Sequence, residues 1–443
     1  MKDQTTHELI YRLEDRPRFT EALFAAIQHL MAIFVAIITP PLIIARALQL
    51  DQETTSFLVS MALFASGIST FIQCRKFGKL GAGLLCVQGT SFSFISPIIA
   101  AGFQGGLPLI FGTCIAASSI EIVLSRFLKY ARKVISPLVS GIVVTLIGLS
   151  LVKVGIVACG GGFGAMEDGS FGALRNLGIA FGVLILIVVL NLSKNKYIRM
   201  SSIFIGLLVG YLFYAFTGDI SFAGINELGT ITIPIPFKYG LDFNFSSFLA
   251  IGFVYIITAI ESIGDITANS TISKEPVEGE VYMERISGGV LADGINSGIA
   301  GIFNSFPNSI FSQNNGLIQL TGVASRYVGY FIAVMLLILG LFPVVGHIFS
   351  LMPEPVLGGA TLLMFGTVAV AGIKIIATQN IDRHAMVVLA ISFSLGLGVE
   401  LMPDILKHFP ESIKSIFSSG ITTGGFAAIL SNVAFNLIGK KED

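Results

Sequence analysis

Tryptophan is missing from this 443-residue chain, and charge is scarce: Asp, Glu, Lys and Arg together make up 12% of it. Soluble proteins carry about 25% charged residues, so this polar complement excludes an ordinary water-soluble globule. The 27 basic and 27 acidic residues cancel, and no net charge draws the chain to nucleic acid. Cysteine is limited to Cys74, Cys86, Cys114 and Cys159, scattered mostly in apolar runs with no CxxC or CxxH spacing. They read as small buried hydrophobes rather than as a disulfide framework or a metal set. Nothing else in the sequence calls for a metal or a cofactor. No charged leader, short apolar stretch and small-residue cleavage site open the chain; the first 20 residues are polar, as expected of a cytoplasmic tail. Without Trp, aromatic contact at a binding site falls to Phe or Tyr.

What is present is apolar: 53% of the residues, in runs near the ~20 residues that cross a bilayer. The pattern predicts an all-α polytopic membrane protein with spans near 21–48, 54–73, 82–101, 106–125, 136–158, 172–193, 201–219, 246–270, 286–303, 309–325, 327–349, 355–374, 384–401 and 419–438, fourteen in all. With the N-terminus inside, 21 Lys and Arg fall on the inner side: in the tail, 74–81, 126–135, 194–200, 271–285, Arg326, 374–383 and the C-terminus. Six fall outside: Arg46, Lys153, Arg175, Lys238, Lys407 and Lys414. That asymmetry follows the positive-inside rule and predicts both termini in the cytoplasm. Losing one span would flip every later loop and spoil it.

"SPLVSGIVVTLIGLSL" (136–151) is echoed by "EPVLGGATLLMFGTVA" (354–369): Pro137, Gly141 and Gly148 align with Pro355, Gly359 and Gly366 at a constant offset of 218. The fifth expected span falls on the twelfth, seven apart. Seven is odd, so the second copy is inverted relative to the first, as in secondary transporters with alternating access. Substrate sites in such proteins lie near the midplane, at discontinuous segments in corresponding positions of the two halves. Two stretches qualify: "LLCVQGTSFSFISP" (84–97) and "FPNSIFSQNNGLIQLTG" (306–322). Both are too polar for lipid-facing helices, and irregular backbone at membrane depth survives only against protein or a water-filled cavity.

A charge at a helix centre costs roughly 2.5–3.5 kcal/mol. Most acids here sit in loops or tails; Glu261, Asp265 and Asp293 do not. Glu261 and Asp265 are i and i+4 and share one face of the eighth span, a polar binding face with a proton acceptor. Each has a structural alternative. Glu261 is then an acid bracing a broken helix, Asp265 a wet or capping residue near the cytoplasmic end, and Asp293 a partner for the amides of the Gln313–Gly316 break. His29, deep in the first span, is either a satisfied core residue or part of the site. Glu121 and Arg126, five apart near the inner end of the fourth span, read as interfacial. Glu400 and Lys153 read as snorkelling or solvated. A carboxylate accepts N–H bonds, and the carboxamides of Gln313 and Asn314 both donate and accept. Together they suit a flat molecule with alternating N–H and C=O edges, with Phe92 or Phe94 over its π face. A nucleobase fits, and the lack of a basic residue among these motifs argues against an anionic substrate.

"QNNGLIQLTG" (313–322) resembles the signature of the nucleobase–ascorbate transporter family (nucleobase:cation symporter-2): Gln or Glu, Asn-x-Gly, four residues, Thr, then Arg, Lys or Gly. "ESIGDITA" (261–268) and "GGVLADGINS" (288–297) resemble its eighth- and ninth-span motifs; "ELIYRLEDRP" (8–17), "QGTSFSF" and "TGVASRYVG" (321–329) resemble its bacterial xanthine permeases. The resemblance covers about residues 8–438. It implies two inverted seven-span repeats, short strands in spans 3 and 10, and a homodimer in the cell (inner or plasma) membrane. A core of residues 21–130 and 246–350 would move against a gate of 131–245 and 351–438, between tails at 1–20 and 439–443. It also implies roles: Glu261 accepts ring N–H bonds, Gln313 completes the base edge, Asn314 holds the geometry, Phe92 packs on the ring, and Ser91 falls where the side chain varies with substrate. Asp293 and His29 support the site and the coupling proton, and Asp265 matches an acid of xanthine transporters. The expectation is a proton-coupled symporter of a purine base, xanthine first. Ser91 stands where many xanthine-selective members have Asn, and its smaller hydroxyl leaves room for the extra oxo group of uric acid. An anion carrier of the sulfate type has the same broad architecture. It tends to place a cation in the tenth-span site and to append a soluble domain, and here the chain ends just after its last span. No HExxH, GxSxG or paired metal-ligand motif speaks for an intramembrane enzyme.

Overall fold

The computed structural model describes residues 9–128, 136–217, 231–410, 413, 414, 417 and 419–439. The ends of both expected tails and most of the expected inner loop 126–135 lie outside them. In order, the chain forms α1 (Phe19–Ala47), α2 (Gln52–Arg75), β1 (Gln88–Thr90), α3 (Ile95–Leu124), α4 (Pro137–Cys159), α5 (Leu174–Asn191) and α6 (Ser202–Phe216). The second half follows with α7 (Phe245–Ile272), α8 (Gly279–Ile302), β2 (Asn308–Ile310), α9 (Gln313–Thr321), α10 (Arg326–Leu341), α11 (Pro343–Ser350), α12 (Glu354–Ala377), α13 (Arg383–Leu401) and α14 (Gly420–Gly439). Two long helices, a three-residue strand, then a run of helices: the second half repeats the order of the first.

The starts follow from local chemistry. Asp51 caps α2 by accepting from the Thr54 N–H at 2.8 Å, and Ser136 followed by Pro137 opens α4. The break in α3 is equally local. Gly106 has φ 65° and ψ −160°, a backbone conformation open in practice only to glycine, and with Gly105 it kinks the helix between the third and fourth expected spans.

Eight helices among the described residues are long and apolar enough to cross a membrane, and the pair α10–α11, bent by 75°, makes a ninth. The chain is thus an all-α polytopic membrane protein. A count by length and hydropathy stays below fourteen for reasons visible in the chain. The kinked α3 merges two expected spans, and the tenth is a strand plus a nine-residue helix. The ninth, α8, carries Glu280, Glu284, Arg285 and Asp293, while α6 is a shorter apolar helix and α14 counts as one over Gly420–Phe435.

The two halves meet in two ways. β1 and β2 pair antiparallel, with Gln88 opposite Ile310 and Thr90 opposite Asn308. Helices α4 and α12, the pair carrying the Pro-x-x-x-Gly echo, pack along their whole length. Gly141 lies against Gly372, Gly148 against Ala369, Gly155 against Leu362 and Cys159 against Gly358, so the helices run in opposite directions. Opposed strands and opposed helices are what an axis in the membrane plane produces. At the end that the charge pattern puts outside, Arg46 in the last turn of α1 pairs with Glu354 in the first turn of α12 at 3.0 Å and also donates to the Met352 carbonyl. Gln49 donates to Glu167 at 2.7 Å nearby.

The described part of the expected N-terminal tail is docked on the fold. Tyr11 pairs in parallel with Val323, Ser325 donates to the Asp15 carbonyl at 2.6 Å, and Arg326 pairs with Glu14 at 2.7 Å. Glu121, expected at the interface, is 1% exposed, because the packing of α3 against α7 and α8 covers the acid, while Arg126 lies past the end of α3 and is exposed.

Candidate functional site

Strands β1 and β2 are short because each is immediately followed by a helix, Phe92–Phe94 leading into α3 and Gln313 opening α9. Two helix N-termini therefore converge on one point, with the partial positive charge that such ends carry. In front of them lies a cavity of about 820 Å³, within the range of ~300–1,000 Å³ usual for small-molecule sites. Its walls come from both halves: Ser91, Phe92 and Ser93 after β1, Glu261 and Asp265 on α7, Ser312 and Gln313 before α9. Pro137, Val144 and Ile147 of α4 and Val368, Lys374 and Thr378 of α12 close the opposite side. Leu128, Lys374 and Thr378 lie at the end that the charge pattern assigns to the cytoplasm, so the cavity opens there.

Five expected site residues share this cavity: Ser91, Phe92, Glu261, Asp265 and Gln313. Among the described residues, Glu261 accepts only from the Ser93 hydroxyl, at 3.5 Å. A carboxylate offers about four lone-pair sites, so most of its accepting capacity faces the cavity. Gln313 is exposed to the same space, and its carboxamide makes no hydrogen bond among the described residues. Phe92 is half-buried, its ring edge-on to Phe365 of α12 at 5.8 Å. Phe94, the alternative aromatic, is fully buried against Tyr255 at 4.6 Å and does not line the cavity.

The other three stand behind the wall. His29 Nδ1 and Asn314 Oδ1 are 2.7 Å apart, both side chains 1% exposed. Asp293 is fully buried and accepts from Gln88 and from Ser262. Successive residues of a helix point about 100° apart. Ser262 therefore binds Asp293 inside the protein while its neighbour Glu261 faces the cavity. Asp265 lines the cavity with its side chain, and its carbonyl accepts from Asn315 at 3.2 Å.

Sequence reasoning gave no role to the residues that tie this frame together. Gln88 Oε1 accepts from Asn296 at 2.5 Å, Asn296 also donates to the Ser69 carbonyl at 3.2 Å, and Asn308 of β2 donates to the Ser69 hydroxyl at 2.8 Å. Asn269 donates to Asn315 at 2.9 Å. One signal was available: Asn296 lies three residues after Asp293, on the same face of α8. The arrangement can grip a flat solute by its N–H and C=O edges and cover it with a phenyl ring. Among the described residues, no group of three or more His, Cys, Asp or Glu gathers as a metal site needs.

Comparison with known proteins agrees with this architecture. Residues 20–406 match the model of Xan_ur_permease, described as a permease family. The chain is 50% identical over 440 residues to the xanthine permease XanP of Escherichia coli K12, spanning 97% of this chain and 95% of that one. It is 48% identical over 435 residues to the xanthine permease XanQ of the same organism, spanning 96% and 93%. Among solved structures, the transmembrane domain of a cyanobacterial bicarbonate transporter, BicA, aligns with a TM-score of 0.58 at 14% identity, covering 95% of this chain and 99% of that one. At that identity the likeness is one of fold.

Proposed function

This chain belongs to the permease family that its sequence matches from residue 20 to 406, and from that premise we propose that it carries a purine base, xanthine first, into the cytoplasm together with a proton. The observation that carries the reading is the shared wall of Ser91, Phe92, Glu261 and Gln313 in one cavity. In it Glu261 accepts ring N–H groups, Gln313 completes the edge with one acceptor and two donors, and Phe92 packs on the ring. His29 holds Asn314 in place. Asp293 holds Gln88 and Ser262, and through them β1 and α7. Proton coupling is assigned to the acids Glu261, Asp293 and Asp265, with His29 in support. The 50% and 48% identity to two proteins named xanthine permeases supports the substrate.

The cycle that fits is alternating access. Fourteen spans form a core (21–130 and 246–350) that shifts against a gate (131–245 and 351–438), with both termini in the cytoplasm, in a homodimer of the inner or plasma membrane. The cavity between α7 and the α4–α12 pair supports that division. Uric acid is the second reading, favoured by Ser91: a small hydroxyl on the cavity wall leaves space beside the base. An inorganic anion fits less well, because the wall carries Glu261 and Asp265 and its basic residue is the exposed Lys374 at the mouth.

The test is uptake of labelled xanthine by cells producing the protein, with unlabelled purines as competitors and with or without an uncoupler. Saturable uptake that collapses with the uncoupler is expected, and E261Q abolishes it because an amide loses half of the accepting edge. Strong, pH-independent xanthine uptake by E261Q removes Glu261 from the site.

A further inference from the structure

Glu121 is an acid that the transport reading leaves without a task. It is 1% exposed, and neither carboxyl oxygen has a hydrogen-bond partner among the described residues. The described ion pairs join Arg46 to Glu354, Lys76 to Glu284, Arg285 to Glu275 and Arg326 to Glu14, and none reaches it. Its electrostatic neighbours are themselves acids, Asp293 on α8 and Glu261 on α7. Tyr255 on α7 is the third, and its hydroxyl donates to the Cys114 carbonyl at 3.2 Å. On α3, the Ser118 hydroxyl donates to the Ile115 carbonyl at 2.8 Å, and Arg126, past the end of the helix, is exposed. Close contact of Gly294 with Ser118 and Ile122 holds α3 against the turn of α8 that carries Asp293.

An ionised carboxylate buried with neither a donor nor a cation is costlier than the neutral acid. The three acids are graded in this respect. Asp293 accepts two hydrogen bonds, Glu261 accepts one long one, and Glu121 accepts none. Glu121 itself does not line the cavity, but Leu124, one helical turn on and on the same face, does, so the acid lies one turn behind the cavity wall.

We propose that Glu121 is a proton-carrying residue of the transport cycle, loaded in this inward-open arrangement and linked through the core to Asp293 and Glu261. The proposal rests on the proton-symport reading, and two measurements separate the failure of one from the failure of the other. The first is infrared spectroscopy of the purified protein in lipid. A protonated carboxylic-acid band is expected in the wild type at neutral pH and is missing from E121Q. Identical spectra overturn the proposal whatever the substrate proves to be. The second compares accumulation driven by a proton gradient with exchange of labelled for unlabelled xanthine without one. One proton per 100 mV supports roughly 50-fold accumulation. E121Q loses accumulation of that order and its pH dependence while still exchanging base at a reduced rate, and E121D, which keeps the acid, restores pH dependence. Wild-type accumulation and pH profile in E121Q make the residue structural and sink the idea. Absence of xanthine uptake by the wild type strikes the transport reading instead, and the infrared comparison still decides the protonation of Glu121.

Discussion

Asp293 accepts one hydrogen bond from the strand in front of it and one from the helix beside it, through Gln88 and Ser262. An asparagine there offers a single carbonyl, so one buried donor loses its partner, at a cost of about 1–3 kcal/mol. D293N is expected to unfold at a lower temperature than the wild type and to take up less xanthine; a variant matching the wild type in both measurements removes Asp293 from the frame. Glu261, Asp265, Asp293 and His29 stand out in the sequence as ionisable groups in apolar runs, and the structure puts Glu261 and Asp265 on the cavity wall and Asp293 and His29 behind it. Glu121 was misread as interfacial, since its place near the end of an apolar run says nothing of which helices cover it. The partners of Asp293 were not legible either: Gln88 is 205 residues away in sequence, and only the strand pairing brings it close.

Helices α4 and α12 touch without intervening side chains where Gly148 meets Ala369. A side chain at 148 meets backbone, which cannot swing aside as a rotamer can. Overpacking of this kind costs typically ~1–3 kcal/mol, and backbone contact puts G148L at the upper end. The expected result is a clear fall in thermal stability in detergent, and a G148L protein as stable as the wild type contradicts the close crossing. That pair of helices was the most legible part of the fold, because a proline start and spaced glycines leave a pattern that recurs at a fixed offset. The strands were expected from family resemblance alone. Three residues are too few for a period-2 pattern, and both faces of β1 and β2 are buried, so no polar–apolar alternation marks them.

The cavity opens at one end of the molecule, and the Arg46–Glu354 pair joins α1 to α12 at the other. If the two helix sets move against each other during transport, this contact parts and re-forms in every cycle. Cysteines placed at 46 and 354 and tied by a short bifunctional thiol reagent are expected to stop xanthine uptake; the four natural cysteines are all buried, and the treated wild type controls for any reaction at them. Full uptake by completely linked protein shows that the seam does not move. Inverted halves were readable from the sequence through repeat and charge, but which end stands open was not. That depends on how the halves lean, and both arrangements use the same residues. A bilayer holds its voltage only while no thread of water runs from face to face. The Arg46–Glu354 seam stands at the end away from the mouth, and such a seam is what would keep a carrier at rest from leaking ions.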